Sequence, residues 1–138
     1  MSTNTIITRV NPEELHETPG YHHVTVVEAG RLAFLAGQCP LDRDGAVVGQ
    51  EGVDAQVDQV AANALAALAA VGAGPEQVVR SVIYVVSDDS AVLAGVWQRF
   101  NASELAAAFT TASTLLGVAS LGFRGQLIEL DLTAALPG

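Results

Sequence analysis

The spacing of apolar and polar positions divides the chain into predicted strands and helices. Residues 24–37, VTVVEAGRLAFLAG, contain two β-rich runs that meet at the short junction EAG. Such a polar and glycine-containing junction is typical of a hairpin. We therefore predict a β-hairpin here, with a second turn in the segment LDRDGAVVG that follows it.

Two segments carry apolar residues at spacings of three and four, which is the repeat of a single helix face. In residues 53–71 this stripe is formed by Val53, Val57, Val60, Ala64, Leu68 and Val71. Gly72 and Pro75 are expected to end that helix. A second helix carries its apolar residues at 92–100, after the cap-forming run SDDS, and its Trp97 is predicted to belong to the core.

Three β-rich runs remain. The first, VVRSVIYVV at residues 78–86, follows a helix, which implies a crossover connection. Residues 112–119 and 126–134 are predicted to form two closing strands joined by the turn LGFRG. The order ββ, α, β, α, ββ indicates an α+β fold in which two helices cover one face of a mixed β-sheet.

The predicted strands are apolar along nearly their whole length, as in LAFLAG, VVRSVIYVV and TLLGVA. An antiparallel sheet with one face in water would instead alternate between apolar and polar residues. The second face of the sheet is therefore expected to be buried against other subunits of the same protein.

Composition narrows the class of protein. The chain has 138 residues, 50% of them hydrophobic, which suits one domain over 1–138 with a loosely held segment at 1–18. Fifteen acidic residues against six basic ones give a net charge of −9, which disfavours nucleic acid and anionic membrane surfaces as partners. Neither a signal-peptide pattern nor a membrane-spanning apolar run is found, so we expect a cytoplasmic protein.

Several motifs of known chemistry are either absent from the chain or wrongly spaced. Lysine is absent, which excludes an internal Schiff base and a Walker-type phosphate loop. GAGPEQ has Gln77 where a dinucleotide-binding loop needs its third glycine, and Ser120 in GVASLG is wrongly spaced for a nucleophile elbow. His22 and His23 are adjacent and point to opposite faces, so no metal site is predicted. Cys39 is alone and is expected to be a packed thiol.

Four segments together carry a resemblance to a known family. They are PGYHHV at 19–24, RLAFLAGQCPLDRDGAVVG at 31–49, DAQVDQVAANALAALAAVGA at 54–73 and LIELDLTA at 127–134. Their order and spacing, from Pro19 to Ala134, resemble the Rid (RidA/YjgF) family. The turn GQCP and the alanine-rich end of the helix are the most telling pieces.

The resemblance implies a RidA-like fold, an α+β trimer similar to chorismate mutase, with a barrel-like core and ligand clefts at the subunit interfaces. The best-known members hydrolyse reactive enamines and imines, such as 2-aminoacrylate, to a 2-keto acid and ammonia. They use neither a metal nor an organic cofactor, so none is expected here. The expected partners are the other subunits of a homotrimer and a small-molecule ligand in each cleft.

In active members of the family, an arginine that opens the penultimate strand, in a Pro-Ala-Arg segment, grips the substrate carboxylate. The matching residues of this chain are Thr111, Ala112 and Ser113. A neutral hydroxyl cannot supply the charge-assisted bidentate bond that a guanidinium gives to an anionic imino acid. We therefore expect Ser113 to hydrogen-bond a different, less charged substrate.

Three further residues match functional positions of the family. Glu129 matches the glutamate that positions water or relays a proton to nitrogen, although its pattern alone marks only the wetter face of a strand. Tyr21 matches the cleft tyrosine, and Gly37 matches the turn whose backbone lines the cleft. Cys39 falls at a position where the family is variable, and it is assigned no role.

The predicted hairpin between the last two strands sets the distance between Ser113 and Glu129. With its turn near Arg124, Glu129 pairs near Val118 and Ser113 lies about 16 Å further along the strand. Two subunits must then meet to build one pocket. Arg124 lies roughly 16 Å from Glu129 along its own strand, and it could replace the missing cation only if its loop folds inward.

These features support a RidA-like homotrimer that hydrolyses a non-amino-acid imine or enamine, with Glu129 as acid and base. The alternative is a Rid-family protein without catalysis that binds a metabolite or regulates a partner enzyme. The sequence leaves open which of the two applies, and so whether the chain is an enzyme. The old family label of endoribonuclease is disfavoured by the net charge of −9 and the absence of lysine.

Overall fold

The computed structural model of the protein describes residues 7–28 and 30–136. Its helices and strands follow one another as β1 (Ile7–Val10), β2 (Val24–Val27), β3 (Leu32–Phe34), α1 (Val53–Ala70), β4 (Val78–Val86), α2 (Ser90–Asn101), β5 (Ala112–Val118) and β6 (Ile128–Ala135). Short 3-10 turns precede β4 and β5. Both predicted helices and the long strand at 78–86 are confirmed, and so is the α+β class.

The main sheet has four strands in the order β3-β6-β4-β5. β4 and β5 run parallel, and β6 is antiparallel to both β4 and β3. A parallel pair needs a crossover between its strands, and α2 provides it. The sheet is therefore mixed, as predicted.

The predicted hairpin between the last two strands is wrong. β5 and β6 lie on opposite sides of β4, so that Tyr84 pairs with both Leu116 and Glu129. The crossover through α2 returns the chain parallel to β4, and β6 then takes the other edge of this buried central strand. Ser113 is consequently level with Ser81 and Leu132, and Glu129 does not pair near Val118 as predicted.

The predicted hairpin at residues 24–37 is also wrong. β2 pairs with β1 in a separate two-stranded sheet, whereas β3 pairs with β6 at the edge of the main sheet. Residues 7–10 thus form an ordered strand within the segment expected to be loosely held, and Arg9 ties them to the carbonyls of Glu76 and Val78 at 3.0 and 2.9 Å. Residues 1–6, and Ala29 in the predicted turn, lie outside the described residues.

The core lies between the helices and one face of the main sheet. Four residues of the predicted stripe are fully buried on α1, namely Val57, Val60, Ala64 and Leu68, whereas Val71 at its end is exposed. Gln56, which is outside the stripe, is fully buried as well. α1 ends where Gly72 adopts a φ of +74°, which a residue with a side chain rarely adopts. α2 begins at its predicted cap, since the Asp89 carboxylate accepts a hydrogen bond of 2.9 Å from the amide of Ala91.

The other face of the main sheet carries apolar side chains in the open. Phe34 is 77% exposed, Leu32 47% and Leu116 41%. By the strand register all three share the face of Glu129, away from the helices. Among the described residues, no helix is long and apolar enough to cross a membrane.

Candidate functional site

The carboxylate of Glu129 lies against the loop that follows β3. The loop is held to β6 by a pair of backbone hydrogen bonds between Gln38 and Leu130, at 2.6 and 3.0 Å. A Cβ placed on Gly37 would collide with Oε2 of Glu129. Only glycine therefore allows this approach, and two residues that were assigned separately to the cleft lie in contact.

Gln126 holds the Glu129 carboxylate from the other side. Its Nε2 donates to Oε1 of Glu129 at 3.1 Å and to the carbonyl of Ile128 at 2.9 Å, and its Oε1 accepts from the amide of Phe123 at 3.1 Å. The Gln126 side chain is 3% exposed. A buried amide with three satisfied hydrogen bonds fixes the position of the carboxylate. Gln126 was predicted only as the first residue of the last strand, because nothing in the sequence signals that its amide is buried beside Glu129.

Cys39 is the third neighbour of Glu129. Its Sγ lies 3.6 Å from Oε1 of Glu129 and at the same distance from the carbonyl of Gly37. Burial raises the pKa of the Cys39 thiol, and the negative charge of Glu129 raises it further. The side chain is therefore held as a thiol that donates toward the carboxylate. No role was predicted for Cys39 from the sequence, and only the fold shows this contact.

A second group of candidate residues lines a cavity of about 490 Å³ between α2 and β5. This α2–β5 cavity is walled by Tyr21, Leu93, Trp97, Ser113 and Leu115, among others. None of the described residues around it is an acid, a lysine or an arginine. Trp97 was predicted to be a core residue, yet it is half-buried because one side packs on the core and the other lines the cavity.

The hydroxyl of Ser113 is already engaged within the chain. It accepts from Oγ of Ser81 at 2.6 Å and lies 3.1 Å from the carbonyl of Thr111 and 3.3 Å from that of Phe109. A serine has one hydrogen to donate, and a carbonyl uses it here. The expectation that Ser113 hydrogen-bonds a substrate is therefore limited to one remaining acceptor lone pair.

The three histidines anchor the loop that carries Tyr21. Nδ1 of His22 contacts the carbonyl of Thr110, and the His22 amide donates to the carbonyl of Thr111 at 3.2 Å. His16 and His23 meet edge to face, with ring centroids 4.6 Å apart. In the described part of the chain, no three His, Cys, Asp or Glu side chains are grouped as metal ligands. These contacts place Tyr21 beside the start of β5.

Comparison with known proteins decides the family. Residues 13–136 match the family described as Endoribonuclease L-PSP. The chain belongs to the Rid (L-PSP) family. Protein DfrA of Myxococcus xanthus is 33% identical over 115 residues, 83% of each chain.

Solved structures of Rid proteins have the same fold. YyfB of Yersinia pestis, a Rid-family protein of unknown function, superimposes with a TM-score of 0.85 at 33% identity, over 95% of this chain and 99% of its own. RidA from the Antarctic bacterium Psychrobacter sp. gives 0.61 at 25% identity, over 94% and 99%. The resemblance drawn from four short segments is thereby confirmed at the level of family and fold.

In this Rid protein the two groups of candidate residues are separate within one chain. Ser113 is level with Leu132 on the helix-covered face, while Glu129 projects from the opposite face. Three residues along the strand and two strand spacings across correspond to about 10 Å each. The predicted separation therefore exists, although for a different reason from the hairpin first assumed.

Two arginines, Arg124 and Arg80, are candidates to replace the cation that Ser113 lacks. Arg124 is exposed in the turn before β6. Arg80 lies closer to the start of β5, where its Nη2 donates to Oγ1 of Thr114 at 3.4 Å. It projects on the face opposite to Ser113. Arg80 could not be identified from the sequence, because the parallel pairing of β4 and β5 was not predicted.

Proposed function

We propose that this Rid protein is a homotrimer whose subunits meet to form clefts for a reactive imine or enamine, which it hydrolyses without a cofactor. The observation that carries the proposal is the separation of Glu129 from the α2–β5 cavity within one chain. A partner subunit that brings its Glu129 to this cavity would complete the site. The exposed apolar face of the main sheet supplies a surface for that assembly.

Hydrolysis of an imine requires little from the protein besides one well-positioned carboxylate. Water adds through oxygen to the carbon of the C=N bond, and its proton passes by way of Glu129 to the nitrogen. The carbinolamine then expels ammonia and leaves a carbonyl, so that imine and water give ketone and ammonia. An enamine first takes a proton on carbon to become the imine. Glu129, held by Gln126 and half-buried, suits the role of general base and acid.

Specificity follows from Ser113 in the position that the Rid resemblance assigns to arginine. Loss of one bidentate guanidinium contact to a carboxylate costs on the order of several kcal/mol, roughly a thousandfold in rate. Activity toward 2-imino acids is therefore low, and the preferred substrate lacks the carboxylate.

A Rid protein that binds a metabolite without turning it over is the second candidate. The engagement of Ser113 with Ser81 and backbone carbonyls favours it, because Ser113 then has no hydrogen left to donate to a substrate. Such a protein would sense a metabolite or regulate a partner enzyme.

The variant Glu129→Gln separates the two candidates. Catalysis predicts that ammonia release from an imine falls by about a hundredfold or more, while ligand affinity is kept. Asp131→Asn is the matched control, since Asp131 lies two residues along on the same strand face. Equal ammonia release from native protein and Glu129→Gln would refute the catalytic role and leave the binding function.

A further inference from the structure

The α2–β5 cavity has a mainly apolar floor, and its unengaged polar side chains, Ser90 and Gln98, are exposed to solvent. Its floor is formed by the rings of Tyr21 and Trp97 and by Leu93 and Leu115. The two rings meet edge to face, with centroids 6.1 Å apart. A volume of about 490 Å³ falls within the ordinary range for small-molecule sites.

The polar atoms of this floor already have partners in the chain. The Tyr21 hydroxyl lies 3.1 Å from Nε2 of His16, and Nε1 of Trp97 donates to the carbonyl of Pro19 at 3.2 Å. Ser113 has given its hydrogen to a backbone carbonyl. A polar group placed on this floor would have to break these bonds or remain unpaired, and either is costly in a desolvated site. Ser90 and Gln98 also line the cavity, but both are exposed and lie outside this floor.

The charges near the cavity also disfavour an anion. Ser90, which lines it, follows Asp88 and Asp89 directly in the chain. Arg80 donates to Oγ1 of Thr114, which lines the cavity, but Arg80 itself projects on the opposite face of the sheet and does not line it. A carboxylate placed here would lose water, with no cation among the lining residues to compensate.

We infer that the α2–β5 cavity binds the uncharged apolar ring of the substrate, an alicyclic or aromatic body without a carboxylate. The inference rests on the proposed function and gives its substrate class, namely imines of cyclic or aromatic carbonyl compounds. Ring contact with Trp97, Leu93 and Leu115 supplies the affinity through the burial of apolar surface.

Trp97 is the only tryptophan of the chain, so its fluorescence reports on this cavity alone. The probes are cyclohexanecarboxamide and cyclohexanecarboxylate, which match in ring and size, differ in charge, and do not absorb where indole does. We expect a saturable change of emission with the amide and an apparent Kd about tenfold or more weaker for the carboxylate. Equal or tighter binding of the carboxylate, or no response to either probe, would overturn the inference.

Two variants of α2 locate the binding. Ala94 is exposed and lines the cavity, so Ala94→Leu should fill it and abolish the response to the amide. Ala91 is exposed on the same helix and does not line the cavity, so Ala91→Leu should keep the response. Loss in both variants, or in neither, would show that the probe binds elsewhere.

The inference and the proposed catalysis fail in different ways. Binding of the amide together with no imine turnover would refute the catalysis and leave the ring site standing. Turnover of a carboxylated imine by the native protein, with no binding of the amide, would refute the ring site and leave the catalysis.

Discussion

Glu129 meets groups that are distant in sequence, and its surroundings explain what could be predicted for it. The family resemblance assigns both Glu129 and Gly37 to the cleft, and the structure puts them in contact. Gln126 and Cys39 could not be foreseen, because their approach to the carboxylate depends on how the loop after β3 docks on β6. A residue pattern records which faces are apolar, but not which loop covers them.

At the same scale, Cys39 provides a test of the contact with Glu129. The pKa of its thiol is raised by burial and by the Glu129 charge, so the thiolate forms only at high pH. Glu129→Gln removes that charge, and the pKa of Cys39 should fall toward its ordinary value. Cys39 is the only cysteine, so the pH profile of alkylation by iodoacetamide follows it directly.

The alkylation profile of Glu129→Gln should therefore shift to lower pH, with faster labelling near pH 8 than in the native protein. Asp131→Asn removes a charge from the same strand and should leave the profile in place. Identical profiles for native protein and Glu129→Gln would contradict the thiol–carboxylate contact.

Among elements, the existence of helices and strands was predictable but the pairing of strands was not. The stripes of α1 and α2 and the β-branched run of β4 are local patterns, and each gave an element close to the observed bounds. Both predicted hairpins failed, because β3 and β5 pair with strands that are distant in the chain. The residues between two strands can permit a hairpin. Which strands lie beside β4 is decided instead by the burial of both of its faces.

Alanine substitutions at two glycines should change the stability of the protein in opposite directions. Gly37→Ala should destabilise the protein by about 1–3 kcal/mol and reduce activity, because its Cβ collides with Glu129. Gly95→Ala places a Cβ in open space within α2 and should stabilise the helix by roughly 0.5–1 kcal/mol. Urea unfolding measures both, and a neutral Gly37→Ala would show that the Glu129 carboxylate is not fixed against the loop as described.

For the whole molecule, the charge and the open sheet face point to partners of different kinds. A net charge of −9 is unsuited to an RNA groove, so salt-dependent RNA binding is not expected from this Rid protein. The face with Phe34, Leu32 and Leu116 exposes apolar surface that a second copy of the chain could cover. That face was inferred from the strands' apolar runs alone.

The assembly prediction is tested by mass in solution. Light scattering at micromolar concentration should give a trimer, and Phe34→Asp should shift the mass toward monomer, because a charge would be buried in the interface. Leu15→Asp changes an exposed leucine in the N-terminal loop and serves as the control. A monomeric native protein would remove the basis for a site shared between subunits.

The most direct measurement is the release of ketone and ammonia from 2-aminoacrylate, generated in place by a dehydratase, in native protein and in Ser113→Arg. Ser120→Arg, an exposed position after β5, controls for the added charge. We expect slow release from the native protein and from Ser120→Arg, and release faster by at least about tenfold from Ser113→Arg. That result would show an intact cleft whose specificity has moved away from carboxylates. Fast release by the native protein would contradict the account, and would assign the carboxylate to another cation such as Arg124 or Arg80.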